Sequence, residues 1–303
     1  MQHIDLHQDM ASAHLYAHPT LQPQTSPTQL RSAETRLVLG TGFTLPEEDI
    51  RNVILRDAVW YESRAGVGAL RLVRTKRDLD HVLTTPGAPG LLFHIEGLPG
   101  VSDPALLETW HALGVRSIGI VWNDDNLLGG GTNGTQGLTQ LGITCIERME
   151  SLGILLDLAH ANPQLFEDCM HVASTTPYIT HGGLASLVPH KRNYTDEQLI
   201  ALAERGGIVG IYLAAGTMRS GKSFTLADIA NHMRQAVDLL GEDAVAFGSD
   251  FGGVLSGLPP GLACAADTPH LWEALAAHGF APRTIEKIAF KNAARYLAEN
   301  LPT

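Results

Sequence analysis

Short apolar runs alternate with amphipathic stretches along the whole chain. Ile154 to Leu158 has the length of a buried strand and stops at His160. A polar turn with Asn162 and Pro163 follows. From Gln164 to Val172, Leu165, Phe166, Cys169 and Val172 recur at helical spacing. Pro177 to Thr180 predicts a second short strand, which stops at His181. The pattern is a β-α-β unit with a histidine just past the end of each strand. Parallel strands end on the same side of a sheet, so both imidazoles are expected in one shared mouth.

The alternation extends from end to end. Strands are predicted over 3–7, 36–39, 70–73, 90–95, 117–121, 154–158, 177–180, 208–213 and 244–247. Helices are predicted over 47–64, 104–113, 138–152, 164–172, 196–205, 225–240, 269–277 and 282–299. Gly114 and Gly153 are stop signals, and Thr225 with Asp228 makes a capping box. Residues 11–35, rich in Ala, Ser, Thr, Gln and Pro, keep no period and predict a loop or lid over the mouth. Gly129 to Gly134 predicts a mobile loop. Such alternation argues an α/β fold of the (β/α)8 TIM-barrel type, one domain over residues 1–303. Nine candidate strands are one too many, so 36–39 or 70–73 must lie outside the barrel.

Composition narrows the class. The 303 residues are 44% hydrophobic and 17% charged, enough for a full core. A (β/α)8 barrel needs about 250 residues. The net charge of -11, with no basic cluster, argues against nucleic acid. Apolar runs are strand-sized, so no membrane span is expected. The N-terminus shows no charged region followed by an apolar one, which argues against secretion. Cys145, Cys169 and Cys264 are too scattered for a disulfide framework, and a reduced, cytoplasmic protein is expected.

The candidate chemistry stands at the strand ends: His7 and Asp9, Glu96, Trp122, His160, His181 and Asp250. Each has a plainer reading alone. His-x-Asp is a weak pattern, Glu96 suits a helix cap or ion pair, a lone histidine is more often half-buried and hydrogen-bonded, and Asp250 suits a turn. Together they put three imidazoles and three carboxylates on one rim. Those ligand types suit zinc and similar divalent ions. The set exceeds what one tetrahedral ion requires, and two ions sharing one carboxylate would use it. Such a centre activates water and polarises a carbonyl or phosphoryl oxygen, which is hydrolysis chemistry.

Several stretches together resemble the membrane dipeptidase (renal dipeptidase) family of zinc peptidases, family M19. They are Asp5-Leu6-His7-Gln8-Asp9, Ile95-Glu96-Gly97, Leu113 to Arg116, Gly137-Leu138-Thr139, Asp157 to His160, His190 to Asn193, Gly206 to Gly210 and Gly248 to Phe251. They run in family order from residue 3 to about 296, and residues 10–90 diverge most. The resemblance implies a distorted barrel of metal-dependent hydrolase type holding two zinc ions, or other divalent ions. It implies His7, Asp9 and Glu96 on one ion, and Glu96, His160 and His181 on the other. A hydroxide between them would attack a short peptide. Arg192 corresponds to the arginine that meets the substrate carboxylate, and Asp250 to the proton-carrying aspartate near the scissile nitrogen. Glu96 and Asp250 are then the catalytic carboxylates, with Arg192, Asp250 and Trp122 against the substrate. The expected partner is a small dipeptide-like substrate, with a homodimer left open.

The chain departs from the family pattern in three places. Trp122 stands where the resemblance calls for a substrate-binding histidine, and Trp has one N–H and no cationic form. Gly182-Gly183 follows His181 in place of a serine motif, and Gly252 replaces a second acid. A soluble member, without the animal members' export and anchor segments, is expected.

Three rival readings stand beside this one. Gly216 to Ser223 satisfies the P-loop pattern after a strand and before a helix. Against it, the capping box starts the helix at Thr225 rather than at Lys222, little sheet remains downstream, and the metal-type rim goes unexplained. An amidohydrolase-like enzyme acting on another amide or ester bond would keep fold and metals. Such enzymes often bridge their metals with a carbamylated lysine, and no strand end offers one in place of Glu96. Trp122 also makes a non-catalytic binding relative conceivable.

Overall fold

The computed structural model describes residues 1–16, 23–45, 47–219, 224–254 and 257–303. Among the described residues there are nine parallel strands: β1 (His3–Gln8), β2 (Thr35–Phe43), β3 (Arg71–Leu72), β4 (Gly90–Glu96), β5 (Val115–Gly119), β6 (Leu155–Asp157), β7 (Ile179–Gly182), β8 (Val209–Ile211) and β9 (Val245–Phe247). One run of neighbours is β1-β2-β4-β5-β6, and a second is β7-β8-β9. Two bridges join them into a ring. Tyr178 N–H donates to Leu156 O at 3.2 Å, beside the Asp157–Tyr178 bridge. At the other seam Asp9 N–H donates to Phe251 O at 2.8 Å and Asp250 N–H to His7 O at 3.0 Å. Closure removes both sheet edges, so backbone groups that would need water find partners.

The surplus strand is thereby identified. The segment predicted over 36–39 is the nine-residue β2, paired with β1 and β4 along its length. The segment predicted over 70–73 shrinks to two residues beside the start of β4, off the ring. The result is a distorted (β/α)8 barrel.

Helix starts follow local chemistry. Asn162 accepts from Leu165 N–H at 2.8 Å, and Pro163 takes the first helical position of Pro163–Val172. A helix the periodicity did not signal, Lys76–Thr84, opens on a Thr75–Asp78 capping box. Trp110, Phe166 and Met149 are buried between helices and ring. Full burial of each contributes about 1.5–3 kcal/mol.

Three expectations need correction. Residues 11–35 are not one loop: Met10–Leu15 and Pro27–Ser32 are short helices, the second capped by Ser26. His181 lies inside β7, not past its end. The triple glycine is buried, and its form follows from crowding rather than mobility. A Cβ on Gly131 would collide with Trp122 O, one on Gly130 with Gln136 O, and one on Gly129 would sit 2.6 Å from Leu165 Cδ1. Only glycine lets this loop lie against the strand ends.

In the P-loop-like stretch, Ala215–Met218 is a single helical turn and the next helix, Leu226–Leu240, starts after Thr225. Ser220 to Ser223 lie outside the described residues. Among the described residues no helix is long and apolar enough to cross a membrane.

Candidate metal centre and substrate cavity

Every predicted site residue reaches the same end of the ring. Leu92, His94 and Glu96 share one face of β4 by its two-residue period, and that face meets β1. His94 and His7 rings lie 5.4 Å apart. Glu96 Oε1 is the common point. It lies 2.9 Å from His160 Nε2, 3.4 Å from His181 Nε2 and 3.8 Å from His7 Nε2. His7 Nε2 is also 3.6 Å from Asp9 Oδ2 and 3.9 Å from Asp250 Oδ1. Among the described residues, three trios have ligand atoms within 4.8 Å of one another: His7, Asp9, Glu96; Glu96, His160, His181; and His7, His181, Asp250.

Outer partners aim the imidazoles. His160 Nδ1 lies 3.1 Å from Asn123 Oδ1, an acceptor, so Nδ1 carries the hydrogen and Nε2 keeps its lone pair. His181 Nδ1 lies 2.9 Å from Thr180 Oγ1, whose hydroxyl donates to Asp157 Oδ2 at 2.6 Å. Asp157 Oδ1 accepts from Ala159 N–H and Thr180 N–H at 2.9 Å each. Asp5 ties the opposite seam, accepting from His7 N–H at 3.2 Å and Ser249 N–H at 2.8 Å. Asn123, Asp157 and Thr180 carried no site signal in the sequence beyond their place next to site residues. Their role needs the ring to close.

The electrostatics call for positive charge. Burial opposes a proton on His7, but Glu96, Asp9 and Asp250 outweigh it and raise His7 to about 10. Burial opposes ionisation of Glu96, yet His7 and His160 lower it to about 2. Burial, then Arg192, lowers His160 to about 4, and burial, then His7, puts His181 well below its usual value. Two neutral imidazoles therefore face one carboxylate oxygen with lone pairs and no hydrogen between them. The arrangement fits a divalent cation, which would replace the proton on His7 and satisfy the converging acceptors.

Two non-glycine residues here have left-handed backbone. His160 and Asp250 both have φ of 64°. Such residues cost of order 1–3 kcal/mol each and collect at functional sites. The departures at glycine also have a physical reason. Gly252 has φ of 95°, and its Cβ would lie 2.8 Å from Asp9 O. A Cβ on Gly253 would meet Asp250 Oδ1, and Asp9 Oδ2 at 2.7 Å. A second acid therefore has no room at position 252. A Cβ on Gly183 would lie 2.7 Å from Asn193 Oδ1.

Above this cluster opens a cavity of about 870 Å³ that includes Glu96, His160, His181, Arg192, Asp250 and Trp122 in its walls. Arg192 is buried, donates to His181 O at 3.0 Å and to Tyr194 OH at 3.3 Å, and lies 5.6 Å over the Tyr212 ring. Trp122 is half-buried, 6.1 Å from the His160 ring. Asp250 is driven well above the usual carboxylate range, chiefly by burial.

The profile of the membrane dipeptidase family (Peptidase family M19) matches residues 55–301. An uncharacterised protein in the pqqA 5' region of Klebsiella pneumoniae is 33% identical over 243 residues, covering 76% of this chain and 89% of its own length. An uncharacterised dipeptidase of Schizosaccharomyces pombe is 30% identical over 213 residues, covering 67% of this chain. The alignment spans only about half, 50%, of that curated relative. A metallo peptidase from Rhodobacter sphaeroides, solved with a phosphinate mimic of the dipeptide L-Ala-D-Ala, superposes with a TM-score of 0.89 at 22% identity, over 99% of each chain. At that identity the likeness speaks to the fold alone.

Proposed function

From the premise that this chain belongs to the membrane dipeptidase family, peptidase family M19, we propose that it is a zinc-dependent dipeptidase. The observation that carries the reading is the convergence of His7, His160 and His181 on Glu96 Oε1 beneath a cavity that Arg192 also lines. In this reading residues 1–303 form one barrel domain, with three free thiols that suit a reducing, cytoplasmic setting.

His7, Asp9 and Glu96 would hold one zinc ion, and Glu96, His160 and His181 the other, with Glu96 shared. Bound there, the two cations supply charge that polarises the scissile carbonyl and acidifies water. Arg192 pairs with the substrate's terminal carboxylate, restricting the site to short peptides with a free C-terminus. Asp250, whose buried carboxyl binds a proton readily, takes one from the attacking water and delivers it to the leaving amine. Trp122 walls the cavity and gives one N–H donor, so little oxyanion stabilisation falls to it.

The test is metal analysis together with a panel of L,L and L,D dipeptides. We expect two divalent ions per chain and turnover of at least one dipeptide class. Turnover undiminished after the ions are stripped, or no turnover in the loaded protein, overturns the reading.

A further inference from the structure

The walls of the cavity differ in kind across the barrel mouth. Phe43 is the last residue of β2 and pairs in register with Glu96, the last of β4. Glu96 pairs on its other side with Gly119 of β5, and Trp122 follows shortly after. Phe43 and Trp122 therefore flank Glu96. Their rings meet edge to face, with centroids 4.8 Å apart. Both are half-buried and both line the cavity, with exposed Leu45 and Tyr16 beside them. This wall is mainly aromatic, with the Glu48 carboxylate, which accepts from Tyr16 OH and from Leu45 N–H, beside Leu45 and Tyr16.

The opposite wall is cationic. Round the ring from β4 come β5, β6, β7 and β8, so β8 stands four steps away among eight strands, directly across. Tyr212 follows β8, and Arg192 lies over its ring. Lys191 and His190 line the same side.

We infer that the Phe43–Trp122 pair is a side-chain platform that selects dipeptides whose N-terminal residue is aromatic or large and apolar. The inference rests on the dipeptidase reading and deepens it. A dipeptide whose carboxylate is held by Arg192 must run across the mouth from β8 toward β4. Its C-terminal residue then lies on the Arg192 side and its N-terminal residue meets the aromatic wall. An edge-to-face pair presents one ring face for a third ring at 4.5–7 Å, a geometry that adds to the burial of apolar area. A small side chain leaves that face wet and gains neither.

The wall is rigid where it matters. Thr132 N–H donates to Trp122 O at 3.1 Å, and the crowded Gly131 closes over the same carbonyl. The backbone that carries the ring is thus fixed, and the ring itself packs against Phe43 on one side and lies 6.1 Å from the His160 ring.

The test compares kcat/KM for Phe-Gly, Ala-Gly and Gly-Phe in the metal-loaded protein. The parent should prefer Phe-Gly to Ala-Gly by about tenfold or more, with no such gain for Gly-Phe. W122A and F43A should bring the Phe-Gly to Ala-Gly ratio close to one, while W122F retains it. In parallel, calorimetry measures binding of phosphinate mimics of Phe-Gly and Ala-Gly, independently of turnover. If no dipeptide is hydrolysed, the dipeptidase reading fails, and the platform stands or falls on the mimics. A Phe-Gly mimic bound about tenfold tighter, with the margin lost in W122A, supports it. Equal binding of the two mimics, or a ratio unchanged in both W122A and F43A, overturns it.

Discussion

His160 Nε2 and His181 Nε2 lie 3.2 Å apart. Their strands, β6 and β7, meet at the Tyr178 bridge and through the bonds of Thr180 to Asp157. With Nδ1 of His160 committed to Asn123 and Glu96 Oε1 at 2.9 Å, the near face of this pair holds acceptors and no donor. Neutral acceptors at that distance repel unless a cation lies among them. Chelation should therefore lower the melting temperature as well as abolish turnover, since a ligand bound only by the folded state stabilises it. Calorimetry with and without a chelator checks this. An unchanged melting temperature would count against a cation here.

Asn123 and Thr180 should matter through the histidines they hold. Each fixes the far nitrogen of one histidine. Loss of such an outer partner typically costs ten- to a hundredfold in metal affinity. N123A and T180V are expected to weaken zinc binding by about that factor, read by competition with a chelating dye. Activity at saturating zinc should be largely restored.

Asp250→Asn should keep both ions and lose turnover by about 10²–10⁴-fold, the range for a lost proton carrier. The backbone there has φ of 64°, which Asn tolerates better than most residues. Stability should therefore stay close to the parent. A D250N protein that turns over dipeptides at the parental rate removes Asp250 from the mechanism.

Arg192→Lys keeps the charge but loses the planar fork that meets a carboxylate with two hydrogen bonds. KM for free dipeptides should rise by about tenfold or more, with a smaller change in kcat. A dipeptide amide, which has no carboxylate, should discriminate little between the two proteins. Equal losses on both substrates would mean that Arg192 acts structurally, through Tyr194 and His181.

His3 links stability to pH. Burial holds its imidazole at about 4, below the ordinary value of 6.5, while Nε2 lies 2.9 Å from Thr35 Oγ1. The unfolded chain takes up a proton near pH 6.5 that the folded chain refuses until about 4. This contribution is complete above 6.5, declines as pH falls through that window and is flat below it. Its size is about 3 kcal/mol, at about 1.4 kcal/mol per pH unit. Urea unfolding of metal-free parent and H3Q across the window should show a shallower slope for H3Q. Parallel slopes would refute the assignment.

Much of this was legible along the chain. The alternation of strand-length runs with amphipathic stretches predicts the ring, because each pattern buries its apolar side in one geometry only. His7, Glu96, His160 and Asp250 could be singled out because strand ends are recognisable where an apolar run breaks at a polar residue. Other features were not legible. Lys76–Thr84 hides its helix behind a charged stretch, where the capping box is the stronger signal. The glycines at 129–131 look like hinges until their neighbours are in place.

Sequence alone therefore determined the barrel and the residue types at its mouth, since period and strand ends are local properties of the chain. Tertiary structure decided which strand stands off the ring, how Asn123, Thr180 and Asp157 aim the histidines, and that Phe43 meets Trp122 on the side facing Arg192. Those are relations between residues dozens of positions apart. Only the pairing register and the closing of the ring bring them within reach of one another.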